Sequence, residues 1–152
     1  MSVPFNVSDE SITTVLQTAM ADINSVWTYD PLDLVDPWKA YNPQKAFNDL
    51  LTVNSSMGLW VRASAGTDAV MVGTIPQAIS VQLQAGWNLI GYPSFILRTM
   101  GEAFSTISHS RAEGFDATSP ESLRRFYDSD DMVPGDGYWI KLDAASTWDL
   151  TN

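Results

Sequence analysis

The chain has 152 residues and a formal net charge of −10, with 8 Lys plus Arg against 18 Asp plus Glu. That balance argues against nucleic acid and against an anionic membrane surface, both of which need a basic face, and no apolar run reaches the ~20 residues that span a bilayer. Zero cysteines exclude disulfides, thiolate metal sites and thiol catalysis.

No basic-then-apolar leader opens the chain. Instead Ser2-Val3-Pro4-Phe5 matches the end of a longer stretch, Gly86-Trp87-Asn88-Leu89-Ile90-Gly91-Tyr92-Pro93-Ser94. The segments C-terminal to these two stretches are also related, so the chain reads as two copies of one unit, with Met1 as the start of an expressed fragment. After Pro4, Ile12, Val15, Leu16, Ala19 and Ile23 recur three and four apart, which predicts a helix capped by Ser8. Ser25 to Asp30 alternates and is aromatic and β-branched, which predicts a strand. Asp30 to Pro37 is a Pro-bounded loop. Trp38-Lys39-Ala40-Tyr41 precedes the turn-forming Asn42-Pro43.

Met57-Gly58-Leu59-Trp60-Val61-Arg62 lies in register with Asp136-Gly137-Tyr138-Trp139-Ile140-Lys141. The glycines are expected to permit a positive-φ turn before each strand. A short strand is expected at Ala69 to Val72, matching Thr147 to Leu150. Between the copies, Ile79 to Leu83 alternates and predicts a hairpin with Trp87 to Tyr92. In copy two, Thr99 and Glu102 form a capping-box pattern before Ala103, Phe104 and Ile107. Ala112 to Asp116 matches the first strand, and Leu123 to Phe126 matches Trp38 to Tyr41. The expected fold is α+β, with two pseudo-symmetric repeats at 1–78 and 79–152. Each is a mostly antiparallel sheet with one main helix, and the repeats pack as one body that does not fold by halves.

Gly86-Trp87-Asn88-Leu89-Ile90-Gly91 and Pro134-Gly135-Asp136-Gly137-Tyr138-Trp139-Ile140-Lys141, with the helix and strand between them, resemble tandem modules of secreted and surface-anchored bacterial and archaeal proteins. The resemblance covers nearly the whole chain. It implies an extracellular or cell-surface location and neighbouring domains of a larger parent protein as partners. It implies no chemistry and no catalytic residue. Copy one departs from the pattern in lacking the Gly-Trp-Asn-Leu start.

Candidate sites are few. Trp38 and Tyr41 fit an aromatic platform for a sugar ring, but core packing is the favoured reading, because the matching Leu123 and Phe126 are apolar without being sugar platforms. Trp27, Trp60, Trp87 and Trp139 are assigned to the core, with Trp60 and Trp139 each against its own copy's helix. Asp128, Asp130 and Asp131, and separately Asp30, Asp33 and Asp36, offer oxygen ligands for Ca²⁺, but neither loop has complete ligand spacing. His109 is the one histidine and has no partner pattern for a triad or metal site. Asn6-Val7-Ser8 and Asn54-Ser55-Ser56 fit the glycosylation acceptor pattern. The expectation is a non-enzymatic extracellular module, without cofactor, acting as a spacer or protein-interaction unit. The alternative is a glycan-binding module assisted by calcium.

Overall fold

A computed structural model describes all 152 residues. The chain is mostly β: about 40% of residues are in strands and 5% in helices. The expected α+β fold with a main helix in each repeat is therefore corrected. The helices are single turns, α1 at Ile12–Val15 and α2 at Met100–Ala103. The apolar three-and-four spacing is real, because Ile12, Val15, Leu16 and Ala19 are all buried. Past Leu16, however, Ala19, Met20, Asp22 and Ile23 each donate to the carbonyl three residues back. The chain keeps turning in that tighter manner and leaves the α-helix.

Ser8 does not cap α1. Ser11 stands at the cap position, but its hydroxyl is bonded to Thr13 Oγ1 and caps no backbone N–H, and the Asp9 carboxylate instead accepts from the Ser11 N–H (2.8 Å) and the Thr14 hydroxyl (2.9 Å). Two hydrogen bonds depress the Asp9 pKa. The capping box of α2 is complete. The Glu102 carboxylate accepts from the Thr99 N–H at 2.9 Å, and Thr99 Oγ1 accepts from the Glu102 N–H at 3.3 Å. Thr99→Ala is expected to cost about 1 kcal/mol in chemical denaturation. A cost near zero would show that packing alone holds this turn.

Two sheets carry the architecture. The first orders β2-β1-β3, with β1 at Ile23–Tyr29, β2 at Trp38–Tyr41 and β3 at Trp60–Ala63. The second orders β5-β10-β7-β8, with β5 at Gly86–Gly91, β7 at His109–Phe115, β8 at Leu123–Phe126 and β10 at Gly137–Leu142. The registers correspond. Val26 faces Tyr41 as Ala112 faces Phe126, and Trp27 faces Trp60 as Glu113 faces Trp139. In the second half β6 (Arg98–Thr99) pairs with β9 (Asp131–Met132), where the first half has a single bridge from Ser11 to Thr52.

The expected hairpin after Leu83 is also corrected. β4 (Ala78–Leu83) pairs with β11 (Ser146–Thr151) and not with β5. The buried Asn88 side chain accepts from the Gln84 N–H and donates to the Gln84 carbonyl, both at 2.8 Å. Gly86 adopts a φ of 90° at this corner. The edges of β5 are already taken, one by β10 and the other by a Met57–Ile90 bridge and the Gly91 N–H on Ser56 O. No strand forms at Ala69–Val72, where Ala69 and Met71 pack on the first core from a loop.

Each half has its own core. Ten buried residues from Val3 to Leu59 make one, and 14 from Leu83 to Leu150 make the other. Gly91 N–H bonds Ser56 O, and Ser2 N–H bonds Gly135 O (2.6 Å). These are the same bond with the halves exchanged, so a pseudo-two-fold axis runs between them. Reciprocal contacts of this kind mark an isologous interface.

Candidate functional site

Alternation in β1 buries Val26 and Thr28 and turns Trp27 and Tyr29 outward. Trp38 stands across from Tyr29, and Trp60 across from Trp27. In β10, Tyr138, Ile140 and Leu142 face the core, so Trp139 and Lys141 face out. Trp87 of β5 stands opposite Lys141.

These outward faces meet at the pseudo-axis. Tyr29 packs on Trp139 with centroids 5.3 Å apart, and Trp60 packs on Phe115 at 5.8 Å. Those two contacts are again related by exchange of halves. Trp38 meets Trp139 at 5.6 Å and Tyr29 at 5.4 Å, and Trp87 meets Trp139 at 6.2 Å. All five pairs are edge-to-face, the arrangement that the ring quadrupole favours.

The result is an open groove of about 510 Å³ lined by aromatic rings, Leu123 and Glu113. Trp38 is 45% exposed and Phe115 is 61% exposed, while Trp27, Trp60, Trp87 and Trp139 are half-buried. Glu113 is ion-paired with Arg111, and the Lys141 ammonium lies 6.0 Å above the Trp87 ring.

The assignment of Trp27, Trp60, Trp87 and Trp139 to the core is thus corrected. The fully buried tryptophan is Trp148, whose indole N–H donates to the Ala103 carbonyl at 2.7 Å. Trp38 lies in the groove, but Tyr41 does not. Residues three apart in a strand point to opposite faces, and Tyr41 packs against the first core. One signal was present in the sequence: Val26 and Thr28 share one parity of β1, and Trp27 and Tyr29 the other.

The acidic loops hold their own turns. Asp128 lies 3.3 Å from His109 Nε2, the Asp130 carboxylate accepts from the Tyr127 N–H, and Asp131 is in β9. In the other loop the Lys39 ammonium, 2.6 Å away, and the Val35 and Asp36 amides depress the Asp33 pKa to about 2. The Asp30 carboxylate accepts from the Leu32 N–H. No three of the chain's acidic or histidine side chains gather as a metal site. Of the glycosylation-pattern asparagines, Asn6 bridges to Thr74, and the Asn54 side chain is bonded to Ser56.

No helix is long and apolar enough to cross a membrane. Comparison with protein-family models, with curated proteins and with solved structures gives no match to this chain.

Proposed function

We propose that the chain is a non-enzymatic interaction module of a larger surface or secreted protein, and that the aromatic groove is its contact surface. The observation that carries this reading is the groove itself. Both halves contribute half-exposed aromatics to one continuous patch on a strongly acidic chain. Contiguous apolar surface of this kind marks an interaction site more often than scattered single residues do. Aromatic residues also dominate the energetics of protein contacts. The sequence resemblance to tandem surface modules supports the same reading and supplies neighbouring domains as the partner class.

A second reading, glycan binding in the same groove, is favoured by one observation. Glu113, ion-paired with Arg111, lines the groove beside its aromatic rings, as hydroxyl-bonding groups do around a stacked sugar. The test uses the chain together with the neighbouring domain of its parent. Tryptophan emission is expected to shift to the blue on association, and Trp38→Ala is expected to weaken binding about 10–30-fold. Because Trp38 is exposed, the variant is expected to keep its fold. An unchanged affinity, with saturable quenching by neutral oligosaccharides that Trp38→Ala removes, would transfer the groove to glycan binding.

A further inference from the structure

The signs of charge are sorted by element. The seven strands of the two main sheets hold six of the eight Lys and Arg (Lys39, Arg62, Arg111, Arg124, Arg125 and Lys141) and one of the 18 carboxylates, Glu113. Strand propensity disfavours Asp, yet it disfavours Glu and Lys alike, so it does not by itself produce this division. Half of those cations, all in the second half, share one face. Register puts Trp87, Lys141 and Arg111 in a row across β5, β10 and β7, and Trp139, Glu113 and Arg125 in the next row, across β10, β7 and β8. Cross-strand partners project to the same side. Because Trp139 and Lys141 face out, Arg111, Glu113 and Arg125 face out with them, beside the aromatic groove.

This face is short of negative charge. Glu113 is ion-paired with Arg111, while Lys141 and Arg125 have no carboxylate at ion-pair distance. Three cations thus stand against one anion, on a chain whose net charge is −10. The arrangement also works against folding. Lys141 stands directly opposite Arg111, and like charges at that position repel across Cβ atoms about 4.5–5.5 Å apart. The Trp87 ring offsets little of this, since the Lys141 ammonium is 6.0 Å from its centroid, at the limit of a cation–π contact. β10 is paired along both edges, by β5 and β7, so the sheet is complete here and what the face lacks is an anion. Local choices that oppose the fold are kept where a site needs them.

We propose that this face receives an acidic segment of a partner polypeptide, with a carboxylate seated between Lys141 and Arg111 and a neighbouring apolar side chain in the aromatic groove. Arg111 spends part of its fork on Glu113 and keeps N–H donors for a second carboxylate. Lys141 supplies a cation that no group of the chain neutralises. Trp and Tyr enriched together with Arg, and carboxylates depleted, is the composition of a protein contact surface. Charge complementarity would set the register of the segment and speed its encounter, while the rings supply the apolar contact. This inference rests on the interaction-module reading and names the chemistry of the partner for it.

The test titrates the whole chain with a synthetic peptide of alternating glutamate and leucine, and with the same peptide carrying glutamine for glutamate. Tryptophan emission and the side-chain signals of isotope-labelled Lys and Arg report binding. The acidic peptide is expected to saturate, to bind about tenfold tighter than the glutamine peptide, and to weaken as salt is raised. Lys141→Gln and Arg111→Gln are each expected to weaken it about tenfold. Lys45→Gln removes the same charge from the loop after β2 and is expected to leave binding unchanged. Lys141→Gln is also expected to hold or raise the melting temperature, because it relieves the repulsion with Arg111. A lower melting temperature with unchanged affinity would make Lys141 a prop for Trp87 and overturn the proposal. Equal binding of the two peptides, no saturation by either, or saturation by a polyuronate alone would overturn it as well. If the acidic peptide fails while the neighbouring domain still perturbs Trp38, only this inference falls, and the interaction-module reading stands.

Discussion

Trp148→Ala is expected to lower the unfolding free energy by about 3–5 kcal/mol, and Trp60→Ala by only about 1–2 kcal/mol. The two residues are both strand tryptophans, but their surroundings differ. Trp148 has no solvent exposure, and its ring lies 4.9 Å from Phe104. It sits on β11 opposite Val81 and ties that two-stranded sheet to the turn of α2. Truncation would open a cavity and also strip the Ala103 carbonyl of its indole donor, which adds the cost of an unpaired buried acceptor. Trp60 keeps one face in the open groove, so less apolar area is lost with it. Urea titrations of both variants, with equal slopes, measure the difference. Trp148→Phe should fall between, since it keeps the ring and loses the hydrogen bond. A cost below about 1 kcal/mol for Trp148→Ala would place the ring outside the core.

The different fates of these tryptophans explain what the sequence could and could not disclose. Alternation located β1, and the Ser/Thr-x-x-Glu pattern located the Thr99 cap, because both signals are local. The match between Trp60 and Trp139 was equally plain. Whether those rings face in or out was not, because Tyr138-Trp139-Ile140 is apolar at every position and a continuous run has no parity. The face was decided by Tyr29 and Phe115, which arrive from the opposite half. Partner choice for β4 was hidden for the same reason. Ile79 to Leu83 fits a hairpin with β5 by proximity, yet β5 is enclosed by β10 and the Ser56–Gly58 segment, and β4 turns to the last strand of the chain. Trp38 and Tyr41 look like a pair because a spacing of three suits a helix; in a strand it divides them.

Gly58→Ala and Gly137→Ala are each expected to destabilise the chain by about 1–3 kcal/mol, the usual cost of overpacking. Neither glycine has a positive φ; Gly86 and Gly135 are the glycines that do. The role of Gly58 and Gly137 is therefore not the turn that their place before a strand suggests, but close approach. A Cβ on Gly137 would stand 2.7 Å from Met1 O and 3.3 Å from the Gly58 Cα. A Cβ on Gly58 would stand 2.6 Å from Ile90 O and 2.8 Å from the Leu89 side chain. Backbone cannot yield as a flexible side chain does, so the halves must separate along the pseudo-axis. Separation would loosen the Tyr29–Trp139 and Trp60–Phe115 contacts together. Tryptophan emission should therefore move to the red in the folded variants, in step with the stability loss. Because the glycines touch, the double variant should cost less than the sum of the two singles. Gly66→Ala is the control, since its Cβ would meet nothing within 4 Å. That change should be neutral or stabilising by up to about 1 kcal/mol, through the unfolded chain alone. Equal costs at Gly66 and Gly137 would mean that the backbones do not meet there, and that the two halves are joined by their aromatic faces without a glycine contact beneath them.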